Sequence, residues 1–403
     1  LPQANITHVF DSTSCGTVSS NGTINYNNSF SASISASNPC QSSSAGVVPI
    51  YVSQRPDADF TVNPGDTVCQ NSTVTFTNTS NMGNTVSSGQ PLGNCTMGKF
   101  VWKITPATGW TLVSGTLGND FNTNNPNPWI SGTSPLQISF NTPGTYRIKI
   151  KVGGNTTCGI DSLERVICVT EIPTAAFTLD NQTGCAPLRV NASGSTNAAT
   201  CGQNTYQWTV TYAATNGCQP ATSNYTYVDG TNANSQNPHF NFINPGIYTI
   251  QLQTIAPAAS CSSTVVTQQV TVKGKPVLTL GGIPTDICQG QSINPSVTAT
   301  CYIDAATTYS WTFPSGSPAS SGNQAPGTIT YSTTGTFNIG LAVTNECGVT
   351  NASATIPVNP TPVISGPANV CVGSTITLAG SGTAATGNPW TSSNTSIATV
   401  SST

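Results

Sequence analysis

Charge is what this 403-residue chain has least of: Asp, Glu, Lys and Arg together make up 6% of it, against about 25% in an ordinary soluble domain. The net charge is −3, so there is no basic footprint for DNA, RNA or anionic lipid, and nucleic acid is excluded as a partner. Histidine is nearly missing, with only His8 and His239, and no Cys-x-x-Cys pair occurs. Closely spaced zinc or iron–sulfur ligand sets are therefore absent. There is no Gly-x-Ser-x-Gly elbow, His-Glu-x-x-His segment or phosphate loop, so no nucleophile–base pair stands out and the chain reads as non-catalytic. Apolar residues come in short Val, Ile, Thr and Tyr runs, never in a stretch long enough to cross a bilayer as a helix. Leu1-Pro2-Gln3-Ala4 lacks the basic and apolar regions of a secretory signal. No cofactor is expected; Asp57 and Asp59, the one close carboxylate pair, fall short of the six to eight oxygens calcium usually takes.

Cysteine, in contrast, is abundant: there are 14. With metal ligation set aside, they point to disulfides formed in an oxidising compartment.

The cysteines recur in register with other landmarks, and such repeats decide the fold. Cys69, Cys185, Cys288 and Cys371 each precede a Thr/Val-rich strand. Trp102, Trp208, Trp311 and Trp390 follow on an aromatic strand, with Cys95, Cys201 and Cys301 shortly before the first three. Cys40, Cys158, Cys261 and Cys347 come after a long alternating strand. The first series is spaced by 116, 103 and 83 residues and the last by 118, 103 and 86; two independent rulers agree. Ahead of the last cysteine stands a Gly-x-aromatic turn: Gly144-Thr145-Tyr146, Gly246-Ile247-Tyr248 and Gly335-Thr336-Phe337. Each opens a run such as Tyr248-Thr249-Ile250-Gln251-Leu252-Gln253, whose alternation buries one face and wets the other.

Strands of this kind, with turn residues every ten or so positions and no helical period, predict an all-β chain of tandem Ig-like antiparallel β-sandwiches. The expected units are 57–172, 173–275 and 276–360, flanked by the second half of a unit at 1–56 and the first part of another at 361–403. A chain that starts and stops mid-repeat is expected to be a window on a longer array. The junctions Arg55-Pro56-Asp57, Ile172-Pro173-Thr174, Gly274-Lys275-Pro276 and Asn359-Pro360-Thr361 are short and proline-stiffened, which predicts a rod-like array.

The block from Cys288 to Gly348, with Ser310-Trp311-Thr312-Phe313, the Gly335 turn and Asn345-Glu346-Cys347-Gly348, resembles the PKD (polycystic kidney disease) and PKD-like repeats of large Bacteroidota surface proteins. Residues 57–172 and 173–275 resemble them with larger insertions. From Thr361 the chain resembles either another such unit or a bacterial Ig-like domain, on Trp390-Thr391-Ser392-Ser393-Asn394 and Ile397-Ala398-Thr399-Val400. The resemblance implies a disulfide-stapled segment of a cell-surface adhesin on the outer-membrane exterior of a Gram-negative bacterium, of the kind exported by type IX secretion and used in gliding. The partners it implies are neighbouring repeats of the same chain, surface polysaccharide or the secretion machinery. A carbohydrate-binding or enzyme-accessory module is the alternative reading.

In an Ig-like sandwich the loop before the Trp strand and the loop after the long alternating strand meet at one end. The expected bridges are then Cys95–Cys158, Cys201–Cys261 and Cys301–Cys347, with Cys69–Cys168 and Cys185–Cys218 at the other end and Cys288 and Cys371 left over. A rival scheme joins Cys288 to Cys347. Cys15 and Cys40 are further candidates. Trp102, Trp208, Trp311 and Trp390 are expected in cores. Trp110 and Trp129 lie outside the register and are the candidates for a glycan-stacking surface. Lys103, Lys149 and Lys151 are expected on solvated faces. Asp11-Ser12-Thr13, Asp66-Thr67-Val68 and Asp161-Ser162-Leu163 resemble the Asp-Ser/Thr-apolar pattern of Bacteroidota O-glycosylation, which implies glycans on Ser12, Thr67 and Ser162.

Overall fold

The computed structural model describes residues 7–88, 93–155, 158–258, 261–382, 386–387 and 390–400; the Leu1–Ala4 stretch lies outside them. Every regular element among the described residues is a β-strand. The chain is a series of tandem Ig-like β-sandwiches, and three of them carry complete cores.

The first sandwich pairs a sheet ordered Lys99–Thr105, Gly144–Asn155, Gly159–Thr170, Thr67–Cys69 with one ordered Trp110–Ser114, Leu136–Phe140, Thr73–Asn78, Phe60–Asn63. The second repeats this with Thr205–Ala213, Gly246–Ile255, Val266–Lys273 and Thr183–Cys185 against Ala175–Leu179, Leu188–Thr196, His239–Phe242 and Tyr225–Val228. In the third, Thr308–Thr312, Gly335–Asn345, Gly348–Asn359 and Ile287–Cys288 again form one face.

Alternation sets the faces. Along Gly246–Ile255 every second residue is buried, so Tyr248, Ile250 and Leu252 fill the core while the residues between them point outward. Trp102, Trp208 and Trp311 are all buried, one per core. Each indole N–H, which burial obliges to find an acceptor, donates to a backbone carbonyl: Trp102 to Thr133 at 3.0 Å, Trp208 to Ser235 at 2.8 Å and Trp311 to Asn323 at 3.1 Å.

The Gly-x-aromatic turn locks in the same way. The Tyr146 hydroxyl donates toward the Thr142 and Gly109 carbonyls, and Tyr248 toward those of Asn244 and Asn224. Gly246 has φ +156°, and an added Cβ would sit 2.2 Å from the Tyr212 ring, so backbone and packing both require glycine here. In the third sandwich Phe337 replaces the tyrosine and stacks on Tyr331 at 5.5 Å.

One topological detail places the cysteines. In each sandwich the short strand ending in the first-series cysteine pairs parallel with the last strand, so Cys69 lies opposite Thr170, Cys185 opposite Lys273 and Cys288 opposite Asn359. These cysteines therefore stand at the exit end of their units. Cys261 and Cys347 stand at the turn between the last two strands of their units, at the entry end.

Outside the three cores, Phe30–Ser37 and Ser42–Ile50 form a hairpin with Cys40 near its tip. The N-terminal segment docks on the first sandwich through buried Asn84, whose Oδ1 accepts from the Thr13 hydroxyl and the Gln54 N–H. Beyond 360, Ile364–Ser365 pairs with Ala379–Gly380. Trp390, expected in a core, is half-buried and belongs to none of the three sandwich cores.

Candidate functional site

The sequence concentrates its unusual chemistry at the junctions between sandwiches. Cys69 of the first sandwich is bonded to Cys261 of the second, and Cys168 of the first to Cys201 of the second. One step along, Cys185 is bonded to Cys347 and Cys218 to Cys301. Cys15 of the N-terminal segment is bonded to Cys95 of the first sandwich.

These pairs correct the expected connectivity. Cys201 and Cys261 do share one end of the second sandwich, as do Cys301 and Cys347 in the third, but they bond to the preceding unit and not to each other. The reason is the parallel short strand, which brings the exit-end cysteine of one unit to the hairpin turn of the next. Cys69–Cys168 and Cys185–Cys218 are replaced in this way, Cys95–Cys158 gives way to the bond of Cys95 to Cys15 in the N-terminal segment, and Cys347 is taken by Cys185, which excludes Cys288–Cys347. Cys158 precedes the strand Gly159–Thr170. Cys40, Cys288 and Cys371 are exposed thiols outside these bridges.

Each junction has its own polar fittings. At the second junction Asn345, 7% exposed, donates its side-chain N–H to the Gly274 carbonyl at 2.9 Å and the Cys301 carbonyl at 3.2 Å, and its Oδ1 accepts the Cys347 N–H at 2.9 Å. The asparagine of Asn345-Glu346-Cys347-Gly348 thus ties the linker to both bridge cysteines. Cys301 and Tyr302 hold φ at +71° and +54°, a left-handed backbone that costs a non-glycine residue about 1 kcal/mol or more. The turn aims Cys301 at Cys218. Thr300 adds a hydroxyl bond to the Gly217 carbonyl at 2.8 Å. Lys273 and Glu346 meet at 2.7 Å, and the hydrogen bond to Glu346 raises the lysine pKa.

At the first junction Cys69, Ala256, Ala258 and Cys261 form a small buried cluster. Glu171 accepts from the Thr200 N–H at 3.0 Å and the Thr200 hydroxyl at 2.5 Å. Burial pushes its pKa up, but the hydrogen bonds, those from Thr200 chief among them, outweigh burial and leave the carboxyl below its usual value.

The remaining candidates disperse. Trp129 is 2% exposed; its N–H donates to Thr123 O and Lys151 Nζ lies 4.8 Å from its ring. The insertion folds back on its own sheet and covers the ring, which corrects its assignment to an open glycan platform. Trp110 is half-buried, with its N–H on Pro106 O. Lys103, Lys149 and Lys151 line a concavity of about 410 Å³ with Asp120 and Ser162; Lys151 pairs with Asp120 at 2.8 Å, and that bond holds the aspartate below its ordinary pKa. Ser12, Thr67 and Ser162 are exposed. Asp57 and Asp59 are exposed too, Asp59 pairing with Arg165. No group of three or more potential metal ligands occurs among the described residues.

Residues 273–359 match the PKD domain family. No curated protein matches the chain. Among solved structures, the chain is similar to an I-band fragment of titin (12% identity, 76% of this chain and 98% of that one, TM-score 0.37). It is also similar to the full ectodomain of mouse nectin-like molecule 4 (11%, 76% and 98%, 0.32) and to the Escherichia coli adhesin FdeC (14%, 76% and 99%, 0.25). The PKD match spans the third sandwich, and the all-β fold makes the chain a series of Ig-like sandwiches.

Proposed function

We propose that this chain is a non-catalytic structural segment of an extracellular surface protein: a stiff, rod-like stalk of tandem sandwiches that presents distal binding domains for adhesion. The observation that carries the reading is the placement of the bridges. Among the described residues, all five bonded pairs join one unit, or the N-terminal segment, to the next. A bridge inside a sandwich stabilises that sandwich; two bridges across a junction fix the angle between neighbours. Five disulfides also require an oxidising compartment, which supports an extracellular location. The resemblance to Bacteroidota arrays supports the finer assignments: the outer-membrane exterior, type IX export, gliding, and glycans on the exposed Ser12, Thr67 and Ser162. The buried ring of Trp129 weighs against a carbohydrate-binding module.

Small-angle scattering before and after reduction tests the stalk. The oxidised chain should give one narrow distribution of inter-unit distances that broadens on reduction, and an equally broad distribution in the oxidised chain would sink the reading. For the glycans, an intact mass equal to that of the bare polypeptide removes them.

A further inference from the structure

Cys69, Cys185 and Cys288 hold one structural position. Each stands opposite the final residues of its unit's last strand in the same parallel pairing, Cys69 to Thr170, Cys185 to Lys273 and Cys288 to Asn359. In each, the residue after the cysteine donates its N–H to the carbonyl of that opposing residue at 2.8 Å: Gln70 to Thr170, Ala186 to Lys273 and Gln289 to Asn359. In each, the chain then leaves through a proline, at Pro173, Pro276 or Pro360.

Two of the three positions are occupied in the same way. Cys69 takes Cys261 and Cys185 takes Cys347, each from the hairpin turn of the following sandwich and each with Cα atoms 5.3 Å apart, inside the range a disulfide demands. Cys288 carries the same backbone frame and an exposed thiol. Past it, Ile364–Ser365 pairs with Ala379–Gly380 around Cys371, as Ala175–Leu179 pairs with Leu188–Thr196 around Cys185 and Val277–Gly281 with Ser296–Thr300 around Cys288. A further unit therefore opens at the place where its predecessors open.

We propose that Cys288 is a covalent docking site for the next unit of the same polypeptide, whose hairpin-turn cysteine bonds to it. The proposal rests on the reading of the junctions as staples and names the partner of this one. The two thiols give up two protons and two electrons to a disulfide oxidant, either a small disulfide or a dithiol–disulfide oxidoreductase. The oxidant departs as two thiols, and one S–S bond joins the units.

The test is a non-reducing peptide map of the native protein, alkylated with iodoacetamide before digestion. Cys288 should be unlabelled before reduction and fully labelled after it. Its peptide should be linked to a cysteine peptide that lies outside these 403 residues and follows a run of alternating apolar residues. Alkylated Cys288, or Cys288 linked to Cys371, to glutathione, or to Cys40 of a second copy, overturns the proposal. The same map must contain Cys69–Cys261 and Cys185–Cys347. If those are missing, the staple reading itself fails; if they are present and Cys288 is alkylated, only this inference fails.

Discussion

Cys69 and Cys261 are 192 residues apart in the chain, yet their Cα atoms lie 5.3 Å apart, because one closes the exit end of the first sandwich and the other caps the entry hairpin of the second. Removing both bridges of a junction should leave each sandwich folded on its own core while uncoupling the pair. In the variant C185S/C218S/C301S/C347S, calorimetry should resolve the third sandwich as a separate transition. Each lost bridge is worth about 2–4 kcal/mol on the chain-entropy estimate. A single unchanged transition would show that the junction holds without them.

Asn345 makes a second test. Asn345→Ala leaves the Gly274 and Cys301 carbonyls and the Cys347 N–H without their side-chain partner, at about 1–3 kcal/mol for a buried group left unsatisfied. Hydrogen exchange at Cys347 should accelerate, while Ile148 and Ile150, in the first core, stay protected.

Acid should loosen the first junction. The folded pKa of Glu171 lies below its ordinary 4.5, so its contribution is present above the unfolded pKa and is lost as pH falls through the folded one. Glu171→Gln should cost about 1 kcal/mol at neutral pH and flatten the stability profile below pH 4.5. A profile identical to that of the parent chain would remove Glu171 from the account.

Base acts through the tyrosines. Burial raises Tyr146, Tyr206, Tyr212, Tyr248 and Tyr331. Burial and then its neighbour Tyr225 push Tyr227 up to about 12. The folded state holds these protons longer than the unfolded chain does, so stability is full below pH 10 and falls as pH rises toward 12. Urea midpoints across that interval, read beside phenolate absorbance, should show the fall, and Tyr227→Phe should make it shallower.

Gly246 and Gly144 share a turn but not its surroundings. Gly246→Ala drives a Cβ into the Tyr212 ring, whereas Gly144→Ala meets open space and bears only the left-handed φ. The first should cost several kcal/mol and the second about 1–3; equal denaturation midpoints would refute the steric argument.

The residues that were legible in the sequence are those whose job is local. Alternation gave the long strands, and the register of Trp102, Trp208 and Trp311 placed them in cores, because a strand's period acts within a few residues. Cys201 and Cys261 were placed at the correct end by sandwich topology. Their partners were not legible, because a bond from one unit to the next leaves no spacing signal inside either unit. The clue lay in the remainder: in-unit pairing left Cys288 without a role. The burial of Trp129 is hidden from the sequence for a related reason, since an insertion that folds back on its own sheet has no register to betray it.

The pairing of each exit cysteine with the last strand of its unit also decides how tension would travel. A pull along the array reaches the linker at Pro173 beside two sulfur bridges that run in parallel with it, so load passes sideways from Cys69 into the hairpin of the next sandwich. The proline linker then carries little of it. While both bridges hold, neither a cut at that linker nor the stretching of its backbone would lengthen this junction; a thiol reagent would return the load to the linker.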